Sequence, residues 1–300
     1  MIPVIPLILA IVSPIIWGFM NVLDKYVVSK KVKRALSFTI VTGVVNLIFG
    51  LILILFLKWN FQLKDYIYPA IAGMLLGSQF FSYYIILKKE DASNLIGIIY
   101  LYPVFVALLS YLFLNEKLSL PSYLGMFIIL IGVALLSVRM RKIKLVVSFW
   151  LIFVMILVCA LYEFFIKVAT NNLPAINGMA INSTFTGLVV IIPLMLHKKT
   201  RQGLAYELRN FKWALLSESL TFLGVITTYL AMAGLPATIV SSVAALQPLS
   251  VIIFERAADK YLGKMIRDHL LLPKLIPILL IILGVFLLYL TEIMALLKNP

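Results

Sequence analysis

The chain has 300 residues, of which 63% are hydrophobic and 13% charged, and its mean hydropathy is +1.09. Soluble domains are roughly half apolar and about a quarter charged, so a water-soluble fold of this size would lack the polar residues to cover its surface; lipid removes that demand. The formal charge of +14 does not point to nucleic acid, because Lys and Arg stand in short runs between apolar stretches rather than on one continuous basic face.

A membrane crossing needs ~20 mostly apolar residues. On that rule the sequence predicts spans over 4–28, 36–57, 67–87, 92–114, 121–138, 146–168, 175–196, 212–233, 237–257 and 273–291. The fold class is therefore all-α, an integral membrane protein of ten transmembrane helices. The opening Met-Ile-Pro-Val-Ile-Pro-Leu has no positive n-region and reads as the first span rather than a cleaved signal. Every connection is short, so no soluble domain is expected and function resides within the bilayer.

Lys and Arg are distributed unevenly. Connections 1–2, 3–4, 5–6, 7–8 and 9–10 hold twenty, the opposite side with both termini holds five, and Lys25 lies inside the first span. This bias places the odd connections in the cytoplasm of a cell membrane and both termini outside.

The chain resembles itself. At a shift of 145, Y-Y-I-I-L-K-K-E-D-A-S lies over T-Y-L-A-M-A-G-L-P-A-T, matching Tyr84 to Tyr229, Ala92 to Ala237 and Pro103 to Pro248. At 142, F-M-N-V-L-D-K ending at Lys25 lies over L-Y-E-F-F-I-K ending at Lys167; at 152, I-G-V-A-L-L around Gly132 lies over L-G-V-F-L-L around Gly284. Two repeats are expected, 1–140 and 141–300. Five spans is an odd number, so the second repeat enters from the other face, an inverted repeat of the kind used for alternating access.

Three stretches carry a family resemblance. W-G-F-M-N-V-L-D-K (17–25), Y-P-V-F-V-A-L-L-S-Y-L-F-L-N-E-K-L (102–118) and L-G-M-F-I-I-L-I-G-V-A-L-L (124–136) resemble the first, fourth and fifth spans of the EamA family in the drug/metabolite transporter superfamily. The resemblance implies ten spans, two five-helix repeats and a central cavity for a small, often exported metabolite, plausibly an amino acid or a related compound. It also brings alternatives of the same fold, a flippase for lipid-linked head groups or a multidrug exporter. The chain departs from the family pattern twice. Tyr261 stands at the position equivalent to Glu116, with Glu255 and Arg256 earlier, and relatives are generally drawn with cytoplasmic termini, against the charge bias.

Polar groups inside apolar spans are costly and need a reason. Glu163 in span six reads either as a substrate-amine contact or coupling-proton carrier, or as an ion pair with Lys167 one turn on. Glu218 in span eight reads as functional, or as hydrogen-bonded to Ser217, Ser219 or Thr221. Asp24 and Lys25 lie toward the cytoplasmic end of span one, where a snorkelling lysine is the ordinary expectation. Trp17 and Asn21 are one turn apart at mid-span; Gln79 and Tyr83 share a face of span three; Tyr100 precedes Pro103 in span four. Together they suggest an aromatic cavity wall with a few polar groups. Asn182, Ser242 and Gln247 are candidates from the second half. Pro103 and Pro248 each remove a helical hydrogen bond at matched positions, marking helix breaks for gating. Gly73, Gly77, Gly125, Gly132 and Gly284 permit close helix approach.

Cofactors are not expected. Cys159 is alone, excluding an intrachain disulfide or a cysteine metal cluster, and His197 and His269 fall in basic loops. An enzyme would need H-E-x-x-H or paired intramembrane aspartates, and neither occurs. The expected partners are a small-molecule substrate, the lipid bilayer and a coupling proton.

Overall fold

The computed structural model describes residues 4–59, 62–89, 91–114, 119–139, 149–262, 271–288, 290 and 294. Among these the secondary structure is helical. The helices are α1 (Val4–Lys30), α2 (Ala35–Phe56), α3 (Leu63–Lys89), α4 (Ala92–Ile99), α5 (Tyr102–Phe113), α6 (Leu120–Arg139), α7 (Phe149–Asn172), α8 (Ala175–Leu196), α9 (Lys198–Glu207), α10 (Phe211–Gly234), α11 (Ala237–Ala244), α12 (Gln247–Leu262) and α13 (Leu271–Leu288). Seven segments are long and apolar enough to cross a membrane: α1, α2, α3, α4 with α5, α7, α8 and the helix ending at Gly234. The predicted spans 121–138, 237–257 and 273–291 fall on α6, on α11 with α12, and on α13. The expected junction of the repeats at residues 140–141, and His269, lie outside the described residues.

Polarity is arranged for lipid. Leu55, Phe56, Phe127 and Leu196 are more than 60% exposed, while Asp24, Asn46, Glu218 and Thr186 are buried. In water such an apolar surface would drive association; in hydrocarbon it is the solvated face and the polar groups must satisfy one another inside. This is a multi-pass membrane protein.

Helix packing relies on small residues, because lipid provides no hydrophobic drive between helices. The α3–α8 contact shows it best: a Cβ at Gly73 would strike the Asn182 carbonyl, and one at Gly77 would lie 2.7 Å from the Thr186 carbonyl. Thr186 Oγ1 donates back to Gly73 O at 3.0 Å. Elsewhere α2 lies along α8, α1 along α10, α3 along α7, and α6 pairs with α13.

Predicted spans four and nine are interrupted. α4 and α11 are both eight residues long, each stops four residues before a proline, and Pro103 and Pro248 are the second residues of α5 and α12. The reason is local. A proline ring clashes with the carbonyl four residues back, here that of Ile99 or Ala244, the final residue of the preceding helix. At the start of the next helix the missing N–H is harmless.

On the basic side, α9 lies against the start of α2. Glu207 Oε1 accepts the N–H groups of Lys33 and Arg34 at 3.0 and 2.8 Å, capping α2 from a distant helix.

Candidate functional site

A cavity lies at the centre of the bundle, with about 120 Å³ open to the centres of water-sized molecules. Its wall comes from α1, α3, α4, α7, α10 and α11 and from the two helix breaks. Of the residues predicted from sequence, Trp17, Asn21, Gln79, Tyr83, Tyr100, Glu163 and Gln247 line it.

Four of them form one hydrogen-bonded chain. Tyr100 OH donates to Gln247 Oε1 at 2.7 Å, Gln247 Nε2 to Asn21 Oδ1 at 2.7 Å, and Asn21 Nδ2 to Tyr83 OH at 2.8 Å. Tyr83 in turn bonds Asp24, which also accepts from Ser217 Oγ. Tyr100 stands at the break between α4 and α5, and Gln247 opens α12 after the other break. The first bond thus ties the two interruptions together directly, and the next two extend the chain to α1 and α3.

Three polar atoms of the wall are buried and lack a hydrogen-bond partner: Gln79 Nε2, Tyr162 OH and Glu163 Oε2. A buried polar group without a partner costs about 1–3 kcal/mol, so each of these atoms calls for an explanation, a water molecule or ion among them. Cys159 Sγ, one turn from Glu163, donates to Gln79 Oε1 at 3.1 Å. Trp17 lies flat enough on α10 that a Cβ at Gly224 would meet its ring at 2.8 Å.

The other predicted residues stand elsewhere. Glu218 accepts from Asn46 Nδ2 at 2.6 Å and Tyr84 OH at 3.2 Å, while Ser217 turns to Asp24 and Ser219 to the Leu215 carbonyl. Asn182 Nδ2 donates to Tyr229 OH at 3.2 Å, joining α8 to α10, while its backbone carbonyl faces Gly73 in the α3–α8 contact. The side chain of Ser242 and the position Glu116 lie outside the described residues. Pro103 and Pro248 shape the wall without lining it.

Lys25 corrects an expectation. It does not snorkel: it is 2% exposed, and Nζ donates to Leu87 O at 2.8 Å. Its counterpart Lys167 donates to Met232 O at 2.9 Å and Leu235 O at 3.1 Å. Leu87 and Met232 are themselves matched at the shift of 145. Each ammonium sits at the C-terminal end of a helix, α3 or α10, where free carbonyls and the helix dipole favour a cation.

Sequence reasoning missed Asp24, Tyr102 and Tyr162 as wall residues. Asp24 carried a signal as a carboxylate inside span one, and Tyr162 adjoins the predicted Glu163, but neighbours in sequence face different ways on a helix.

Comparison with known proteins bears on the same residues. Residues 4–138 match the EamA-like transporter family. A curated protein of Sinorhizobium sp, named an uncharacterized transporter in the cobO 3' region, is 35% identical over 75 residues, 25% of this chain. The match spans about half of that relative, 53%. A crystal structure of a protein at 14% identity superposes over 95% of this chain and 96% of its own, with a TM-score of 0.65; that likeness speaks for the fold alone.

Proposed function

We propose that this chain, whose residues 4–138 belong to the EamA-like transporter family, is a secondary transporter that moves a small organic metabolite by alternating access. The observation that carries the reading is the hydrogen-bonded chain Tyr100–Gln247–Asn21–Tyr83, which joins two matched helix breaks across a central cavity. A broken helix can bend without losing hydrogen bonds it already lacks, so closing one face while opening the other costs little at these points. Ten spans in two inverted five-helix repeats, 1–140 and 141–300, accord with the equal lengths of α4 and α11 and with the twin lysine contacts.

The family resemblance suggests outward movement of an amino acid or related compound. A coupling proton would sit on Glu163 or Glu218. The charge bias orients the α9 side toward the cytoplasm of the cell membrane.

The test is counterflow in proteoliposomes over a panel of amines, amino acids, nucleosides and sugars. Saturable exchange of one class is expected, falling at least tenfold in Gln247→Leu with little change in melting temperature. Absence of exchange for every solute overturns the reading, and transfer of a fluorescent lipid reporter in its place moves the assignment to the flippase alternative. Replacing Glu163 and Glu218 with Gln should flatten the pH dependence of uptake. In a protein carrying Cys159→Ser and Lys199→Cys, an impermeant maleimide should label only from the cytoplasmic side.

A further inference from the structure

We infer that the ligand of the central cavity is a small organic amine in its cationic form, with an apolar body of about one aromatic ring, held through Glu163. This deepens the transport reading and rests on the cavity being the transport site.

The charge of the wall is one-sided. Asp24 and Glu163 both line it, and among the described lining residues there is no Lys, Arg or His. The two nearby lysines point their ammonium groups at backbone carbonyls of α3 and α10. The two carboxylates are in different situations. Asp24 already accepts from Ser217 and Tyr83, hydroxyls brought by two other helices. Glu163 Oε2 has no partner. In a cavity of low dielectric, an ammonium beside a carboxylate gains far more than it would in water, and a second carboxylate brought by the ligand would face repulsion from both acids.

A second observation points the same way independently of charge. Tyr162 is 6% exposed and is a residue of the cavity wall, its buried hydroxyl has no partner, and Gln79 Nε2 of the same wall is unpaired as well. Three unpartnered atoms on α3 and α7 therefore belong to residues of one wall: a carboxylate acceptor, a hydroxyl that can accept or donate, and an amide donor. An ammonium has three donors; Glu163 and Tyr162 can take two of them, and Gln79 can donate to a neutral acceptor on the body of the ligand.

The remainder of the wall is apolar and aromatic, with Trp17, Phe80, Tyr83 and Tyr100 among its residues. Ring faces attract cations within about 6 Å and stack on a flat apolar body. The open space of about 120 Å³ is near the roughly 150 Å³ that accommodates benzene in a dry engineered cavity. A zwitterionic amino acid would satisfy Glu163 but leave its carboxylate without a cationic partner, so among ligands of equal body the order of binding is amine, then amino acid, then acid.

The experiment uses the intact protein in nanodiscs and three probes with one body: phenethylamine, phenylalanine and 3-phenylpropionate, titrated by calorimetry and followed by thermal shift. Phenethylamine should bind at least tenfold more tightly than either of the others, and Glu163→Gln should reduce its affinity at least tenfold. Equal or tighter binding of phenylalanine or 3-phenylpropionate overturns the inference, as does binding of none of the three, or an amine affinity unchanged in Glu163→Gln. The wild-type ranking stands on its own should the variant fail to fold. Counterflow of a non-cationic solute in proteoliposomes would sink the amine assignment while leaving the transport reading intact; no counterflow of any solute would sink the transport reading itself.

Discussion

Two interhelical seams join segments that correspond under the sequence shift, yet they are built from different materials. α3 meets α8 through glycine: Gly73 and Gly77 let the backbone rest on the carbonyls of Asn182 and Thr186. α10 meets α2 through side chains, because Glu218 and Phe222 stand at the positions matched to Gly73 and Gly77. There Asn46 and Tyr84 reach the Glu218 carboxylate, and Phe222 packs on Phe49 with ring centroids 5.0 Å apart. A glycine seam is held by close van der Waals contact and has one good arrangement. A seam of polar and aromatic side chains can exchange partners and rotamers. The first seam therefore leaves no room for an added side chain, whereas the second is held by the side chains themselves.

The largest effect should come from the glycine seam. Gly77→Leu would drive a side chain into Thr186 and Val189 and should destabilise the protein by roughly 3 kcal/mol, read as a fall in melting temperature by scanning fluorimetry in detergent. A variant that melts with the wild type would break the comparison. On the opposite seam, Glu218→Ala removes the acceptor for Tyr84 and Asn46 and should cost about 2 kcal/mol, with Glu218→Gln recovering part of it. Equal losses in Ala and Gln would mean that the carboxylate's charge, and not its hydrogen bonds, holds the seam.

Smaller effects sharpen the picture. Gly224→Ala pushes on the Trp17 ring at 2.8 Å and should cost about 1 kcal/mol, with a shift in tryptophan emission that an effect remote from Trp17 would not produce. Smallest are Lys25→Met and Lys167→Met, expected at about 1 kcal/mol or less each. Their losses should agree within a factor of two, since the two ammonium groups hold equivalent carbonyls. A large inequality would show that the twin contacts are similar in form only.

Much of this was legible beforehand, for physical reasons. Apolar run length forecast the helices because a membrane-spanning segment must satisfy its backbone within itself, so no distant partner is needed to locate it. Pro103 and Pro248 marked the two interruptions, but Pro14, Pro69, Pro193 and Pro277 lie inside continuous helices, so a proline in the sequence does not alone decide where a helix breaks. Trp17, Asn21, Gln79 and Tyr83 could be placed on shared faces by helical periodicity. What could not be read was the choice of partner. Glu218 had three hydroxyl neighbours in sequence; Thr221 does bond it, but its other partners, Asn46 and Tyr84, come from α2 and α3. Lys25 had the length to reach the interface, yet a helix end within reach inside the bundle holds it instead.

The sequence by itself determined that this chain lives in lipid and roughly where its helices lie, since both depend on composition and on contacts within one turn. Only the tertiary structure decided which buried polar atoms are satisfied within the protein and which are not. Asp24 and Glu163 are both carboxylates in apolar helices; one is closed by Ser217 and Tyr83, the other keeps an oxygen without a partner. That distinction is set by how neighbouring helices pack, with donors brought from residues far apart in the chain.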